Sequence, residues 1–202
     1  MTITLLQLAT ATGSGVVHAQ SWLAWINQTL DAYEISTAAR QAAFLAQIGH
    51  ESAGLRFVSE LWGPTPAQVR YERRFEAAWP PDDDDDRNLL AWRLGNVRPG
   101  DGRHFRGHGL IQITGRANHA RVRDRLRVRF GAFIVPDFET VSEQLAIPQW
   151  ASLSAGDYWD EHRCNALADA GDFLGITHAI NGGENGLPDR LARLEVAQRA
   201  LA

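Results

Sequence analysis

The chain has 202 residues, 45% hydrophobic and 22% charged, a balance that excludes collagen-like and fully disordered chains and suffices to bury a core without a disulfide or metal staple. Its one cysteine, Cys164, excludes an intramolecular disulfide and a Cys-rich zinc module, and the net charge of −4 offers no overall attraction to nucleic acid or an anionic surface. Every basic residue is arginine, and five of them fall between Arg121 and Arg129.

No charged residue precedes Asp31, but the longest apolar run there, Trp22 to Ile26, is far shorter than the roughly 20 residues of a membrane span, and no positive segment opens a secretory signal. The stretch reads as helix. Val16, Ala19, Leu23, Ile26, Leu30 and Tyr33 recur at three and four residues behind Ser14 as N-cap. A second helix is expected from Thr37 through AARQAAFLAQIGHES, ending at Gly54; Pro66 opens a third over AQVRYERRF, and RNLLAWRL forms a fourth that closes at Gly95. The acidic run Asp82 to Asp86 reads as a solvated loop or helix N-terminus, because a calcium site needs carboxylates spaced around a turn. Between Gly95 and Gly109 the density of Gly, Pro and Arg predicts a long loop, and loops of that length usually carry function.

In LIQIT strict alternation predicts a short strand with Gln112 and Thr114 on one side, although a Thr before Gly-Arg-Ala is equally a helix N-cap. A helix should then run through the arginine cluster, with Val122, Leu126 and Phe130 inward and the arginines on a surface able to attract anionic polymers, or else paired locally with groups such as Asp124. Further helices are expected near Asp137 to Ala146, from Ser154 to Asn165, from Asp169 to Ile180 and after Pro188, the last two separated by the turn NGGENG. The expected architecture is one all-α domain over residues 1–202, with at most one short hairpin.

On the second helix Glu51 falls on the same side as Phe44 and Ile48, so its carboxyl is expected to lose hydration and hold a proton near neutral pH, as a general acid must; the alternative is a frayed end in water. His50 lies away from that side, and with Gly54 four residues on the zinc-protease helix motif is absent. Gly54 breaks the helix, so Glu60 in SELWGPTP can fold back across a groove from Glu51. Two carboxylates flanking a groove are what glycoside hydrolysis requires. Trp62 and Tyr71 would suit stacking on sugar rings or serve as core and rim residues. Asn181 in INGG is either a cleft residue or a helix C-cap. His104 and His108 with His119 nearby could suggest a metal amidase, but they fall in a Gly-rich loop without a helix to fix their geometry; no metal or cofactor is expected.

The segments FLAQIGHESAG, SELWGPTPAQVRYE, LGNVRPGDGRHFRGHGLIQITGRAN and AINGG, in that order, resemble glycoside hydrolase family 19, the chitinase-like branch of the lysozyme superfamily, and within it the compact bacteriophage endolysins. The resemblance implies two helical lobes around a cleft that takes β-1,4-linked N-acetylated aminosugars. It implies Glu51 as general acid, Glu60 as general base and Thr114 as a partner of the attacking water, with Gln112 and Asn181 lining the cleft. The chain departs from the family in having His108 where Arg is usual between the two glycines, and His119 where Tyr is usual after the Asn. The expected function is hydrolysis of peptidoglycan glycan strands with inversion. A chitinase and a non-catalytic glycan-binding protein are the alternatives, the second opposed by the joint presence of Glu51, Glu60, Gln112, Thr114 and Asn181. A monomer is expected, without nucleic-acid partners or membrane insertion. With no leader recognised, it would collect in a host cytoplasm and reach the wall through a separate pore, unless delivered as the cargo of a secretion system.

Overall fold

Thr4 and Gln7 form a reciprocal capping box, the Thr4 hydroxyl accepting from Gln7 N–H and the Gln7 amide oxygen from Thr4 N–H, and so start the first helix, α1 (Leu5–Thr12). The computed structural model describes residues 2–81 and 86–202; of the acidic run, residues 82–85 lie outside them. The helix predicted behind Ser14 is two helices, α2 (Val16–Gln20) and α3 (Leu23–Ala32), and Gly15 is the N-cap. The Ser21 hydroxyl turns back to donate to the His18 carbonyl at 2.9 Å, and the chain breaks there before the buried Trp22.

Thr37 caps α4 (Ala38–Glu51) as expected, its hydroxyl accepting from Arg40 N–H at 3.2 Å. The helix ends at Glu51 through a turn in which Ala53, Gly54 and Leu55 all take positive φ, at 49°, 75° and 65°. The Pro66 helix, α5 (Pro66–Val69), is shorter than predicted: Gln68 spends its side chain on Thr65 N–H and the Leu61 carbonyl, and the chain turns away after Arg70. Then come α6 (Asp86–Arg93), which closes at Gly95, and α7 (Asp101–His104), inside the segment predicted as loop. That segment is tied down. Asp101 accepts from Val97 N–H and Arg98 N–H at 2.8 and 2.9 Å and pairs with Arg116. Burial acts to raise its pKa, but the Arg116 guanidinium and these amides prevail and hold the carboxyl below its ordinary value.

LIQIT is not a strand. The only β-type pairing among the described residues is two isolated antiparallel bridges, Ser59 with His108 and His108 with Ile113, and residues 109–112 form a turn in which Gln112 takes φ 55°. Next is α8 (Arg116–Phe130), with Val122 and Leu126 inward as predicted. The helix expected near Asp137 is a 3₁₀ helix, Ser142–Ala146, because Asp137 accepts from Glu139 N–H and Thr140 Oγ1 and gives the backbone a turn instead. Pro148 in the first turn starts α9 (Pro148–Glu161) six residues earlier than predicted, and Arg163 at φ 53° separates it from α10 (Cys164–Asp169). Asp172 caps α11 (Phe173–Asn181), and α12 (Leu187–Leu201) follows the glycine turn.

The core forms around α4, in which residues 41–49 are all buried, packed against α1, α10 and α12. Gly49 allows α4 to approach α1 closely: a Cβ there would stand 2.9 Å from the Thr12 carbonyl oxygen. Phe44 meets Trp159 of α9 edge-on at 5.4 Å between ring centroids, and burying a side chain of that size contributes about 1.5–3 kcal/mol. The arginines of α8 do not form a bare basic face. Arg123 pairs with Asp124, Asp137 and Glu139, Arg125 with Asp157, and Arg129 with Asp160, so local carboxylates neutralise the field expected to draw anionic polymers.

Candidate active site

Glu51 ends α4 one turn beyond Gln47, and both side chains meet Arg190 of α12, which is 1% exposed. Its Nη2 donates to Glu51 Oε1 and its Nη1 to Gln47 Oε1. Gln47 passes the network on through its amide to Thr177 Oγ1 at 2.9 Å, while Arg190 Nε reaches the Asn185 carbonyl at 3.2 Å. The expected apolar setting of Glu51 is therefore corrected. The carboxylate leaves the predicted side of α4 but meets a buried cation, and its side chain keeps 20% exposure. A guanidinium buried this far needs a counter-charge and partners for its donors, which the carboxylate, amide and carbonyl supply. Beside it, His50 Nδ1 lies 2.6 Å from Asp189 Oδ2, joining the end of α4 to the start of α12; the hydrogen bonds from His50 and Arg193 hold the Asp189 carboxyl below its ordinary pKa.

Glu60 stands in a second frame. Its Oε1 accepts from Gln68 Nε2 at 2.9 Å and its Oε2 from Gly107 N–H at 3.1 Å, and the Tyr71 phenol lies close enough to feel its charge. Burial and the Glu60 charge together raise the Tyr71 pKa. The backbone of Glu60 is fixed as well: its N–H donates to the Gly107 carbonyl at 2.8 Å, and its own carbonyl accepts from Arg106 Nε at 3.0 Å. Trp62 lies beside Tyr71, 6.5 Å away and inclined by 42°.

Gly107 links this frame to the turn beyond it, for a Cβ there would lie 2.6 Å from Gln112 Oε1. Gln112 Nε2 donates to the Gly109 carbonyl and Thr114 Oγ1 to the Gln112 carbonyl, both at 2.9 Å. Both residues line a cavity of about 190 Å³ with Asn118, Arg121, Tyr158, Glu161 and Ile180. Asn181, next to Ile180, is the last residue of α11; the C-cap is Gly182, and the Asn181 amide makes a long contact of 3.5 Å with the Asn185 carbonyl that Arg190 also uses.

The predicted residues thus form two sets, Glu51 and Asn181 joined through Arg190 and Asn185, and Glu60, Trp62 and Tyr71 joined through Gly107 to Gln112 and Thr114. The sequence reading missed Arg190, Gln47 and Gln68. Gln47 did leave a signal: an amide four residues before Glu51 on the same side of an otherwise apolar helix needs a polar partner. Arg190 left none, since its partners lie 139 and 143 residues away. The histidine cluster is a packed contact. His108 and His119 are fully buried with their Nδ1 and Nε2 3.3 Å apart, and His104 Nε2 lies 3.2 Å from the Glu139 carbonyl.

Two solved structures share this arrangement of helices. A mutant of chitinase C superposes with a TM-score of 0.64 at 16% identity, and chitinase C from Streptomyces griseus with 0.63 at 18%; each alignment covers 98% of this chain and 76% of the other. The helical fold is that of these chitinases. No family model matches the chain. A Haemophilus influenzae protein described as a glycosyl hydrolase family 19 domain-containing protein is 35% identical over 168 residues, 75% of this chain and 74% of that relative, and on that relationship the chain belongs to glycoside hydrolase family 19.

Proposed function

We propose that the chain hydrolyses β-1,4 glycosidic bonds of the peptidoglycan glycan, as the bacteriophage endolysins it resembles would, with Glu51 as general acid and Glu60 as general base. The observation that carries this reading is the pair of separately built carboxylate frames. Glu51 is gripped at Oε1 by a buried cation, which stabilises the anion left after proton donation, and the transferable proton is assigned to Oε2. Glu60 is held by donors from Gln68 and Gly107 that aim a carboxylate, suited to taking a proton from water. Thr114 spends its hydroxyl hydrogen on the Gln112 carbonyl and keeps lone pairs to accept from that water. Gln112 and Asn181 line the substrate path, with Trp62 as a stacking surface.

The preference for peptidoglycan rests on the likeness of the WGPTPAQ segment to the endolysin branch, a segment whose Gln68 holds the proposed base. Chitin is the second reading, favoured by the chitinase C neighbours. Digesting purified peptidoglycan and N-acetylglucosamine oligomers side by side, and identifying the new reducing ends by mass spectrometry, separates them. New ends in the wall polymer at a rate above that on the oligomers is the expected result; cleavage of the oligomers alone would assign a chitinase. The site of action would be the wall, reached after release from the cytoplasm.

A further inference from the structure

Asp157 lines two cavities: the one that also contains Gln112 and Thr114, and a second, of about 350 Å³, formed with Arg125, Val128, Arg129 and Asp160. The second pocket thus adjoins the proposed cleft across a shared residue. Its cations are fixed from behind. Arg125 Nε lies 3.0 and 2.8 Å from the two Asp157 oxygens. Arg129 Nη1 donates to the Ala32 carbonyl at 2.5 Å, and its guanidinium stacks on the buried Tyr33 ring, 4.3 Å from the centroid. On the pocket side the fit is open. The Asp160 carboxylate, 45% exposed, lies 3.8 Å from Arg125 Nη2 and 3.5 Å from Arg129 Nη2, too far for a good hydrogen bond, and makes none among the described residues. Both arginines therefore keep donors unspent on guanidinium groups that other contacts already position.

Two guanidinium groups and two carboxylates balance, and this balance selects the ligand. A lone anion would be opposed by Asp160 and a lone cation by the arginines, whereas a group carrying both charges satisfies both sides. We infer that the pocket receives an α-amino-acid zwitterion, its carboxylate on Arg125 and Arg129, its ammonium on Asp160 and its methylenes against Val128. In peptidoglycan that group is the free end of a diaminopimelate residue in the stem peptide, which carries ammonium and carboxylate on one carbon wherever it has not accepted a cross-link. The stem is joined to the glycan through muramic acid, so a strand lying in the cleft brings it to the neighbouring pocket. This deepens the peptidoglycan reading, on which it rests, by naming the diaminopimelate type. Where lysine takes that place, the stem offers an ammonium without the carboxylate.

The test is an NMR titration of the whole chain with three free peptides: L-Ala-γ-D-Glu-meso-diaminopimelate, the same peptide with lysine in the third place, and the diaminopimelate peptide acetylated on its free-end amine. The wild type should bind the first at least about fivefold more tightly than either of the others, with shifts centred on the amides of residues 125–129. Arg129→Gln should abolish the advantage over the lysine peptide, and Asp160→Asn the advantage over the acetylated one, with circular dichroism as the folding control. The comparison of peptides on the wild type needs no variant, so it decides the matter even where a variant misfolds. A wild type that binds no peptide or all three alike, shifts centred elsewhere, or a folded Arg129→Gln protein that keeps the full advantage would overturn the assignment. A wild type that prefers the first peptide but releases no new ends from peptidoglycan would overturn the hydrolytic reading and leave the pocket standing; new ends without that preference would do the reverse.

Discussion

Glu51 is held by a residue that its substitution need not disturb. Glu51→Gln retains an oxygen that can accept from Arg190 and removes the transferable proton. Under the proposed acid role, the rate of glycan hydrolysis should therefore fall by about 10²- to 10⁴-fold, the usual contribution of a general acid, with little change in the urea midpoint. Arg190→Met should behave otherwise. It leaves Glu51 and the buried Gln47 oxygen without their shared donor, at a cost of about 1–3 kcal/mol for the unsatisfied amide. Parallel urea titrations and wall-clearing assays check both; a well-folded Glu51→Gln protein that keeps most of its lytic rate would remove Glu51 from the acid role.

At the scale of the element, the segment from Gly107 to Thr114 carries the Gly107 amide that holds Glu60 together with Gln112 and Thr114, and it is backed by a neutral histidine pair. His119 Nδ1 lies 2.9 Å from the Gly115 carbonyl and so bears the hydrogen, which makes its Nε2 the acceptor for His108 Nδ1–H. His108 Nε2 is then the unprotonated nitrogen, buried and without a partner. Burial, the leading cause in both, lowers the His108 pKa to about 4 and that of His119 to about 3. Because the folded form resists protonation while the unfolded chain accepts protons below about pH 6.5, stability should be highest above that value. It should then fall by up to about 1.4 kcal/mol per pH unit for each histidine down to about pH 4. The lowered carboxyls of Asp101, Asp124, Asp137, Asp169 and Asp189 act in a more acidic window, so the upper one belongs to the histidines. The double substitution His108→Arg with His119→Tyr, the pair usual in the family, removes both titrating groups. Urea midpoints measured between pH 4.5 and 7.5 should slope less steeply in it than in the wild type; an equal slope would place the pH dependence elsewhere.

For the whole molecule, the consequence is stereochemical. Glu51 belongs to the central helix, whereas Glu60 is fastened to Gly107 on a different part of the chain after a turn with three consecutive positive-φ residues. Carboxylates held by separate frames leave room for a water between them, which calls for a separation of about 6.5–9.5 Å rather than the roughly 5–5.5 Å of a nucleophilic pair. Hydrolysis should therefore invert the anomeric centre. Proton NMR of the first product formed should show the α-anomer; an initial β-anomer would mean retention and end the base role of Glu60 together with the water-holding role of Thr114.

The all-α class, the cap at Thr37, the burial of α4 and the emergence of Glu51 from its inner side were all legible in the sequence, because N-cap chemistry and 3.6-residue periodicity are local. Glu60 was legible as a carboxylate beyond a helix break for the same reason. Tertiary structure decided the rest. LIQIT alternates like a strand, but Gln112 takes a positive φ and no strand among the described residues is there to pair with it, so it forms a turn. The arginines of α8 look like a basic face until Asp137, Glu139, Asp157 and Asp160 arrive from other elements to neutralise them. Arg190 meets Glu51 across 139 residues. Periodicity along a helix says which way a side chain points, whereas the charge it meets is set by how distant helices pack, and for Glu51 that packing replaced an apolar wall with a buried guanidinium.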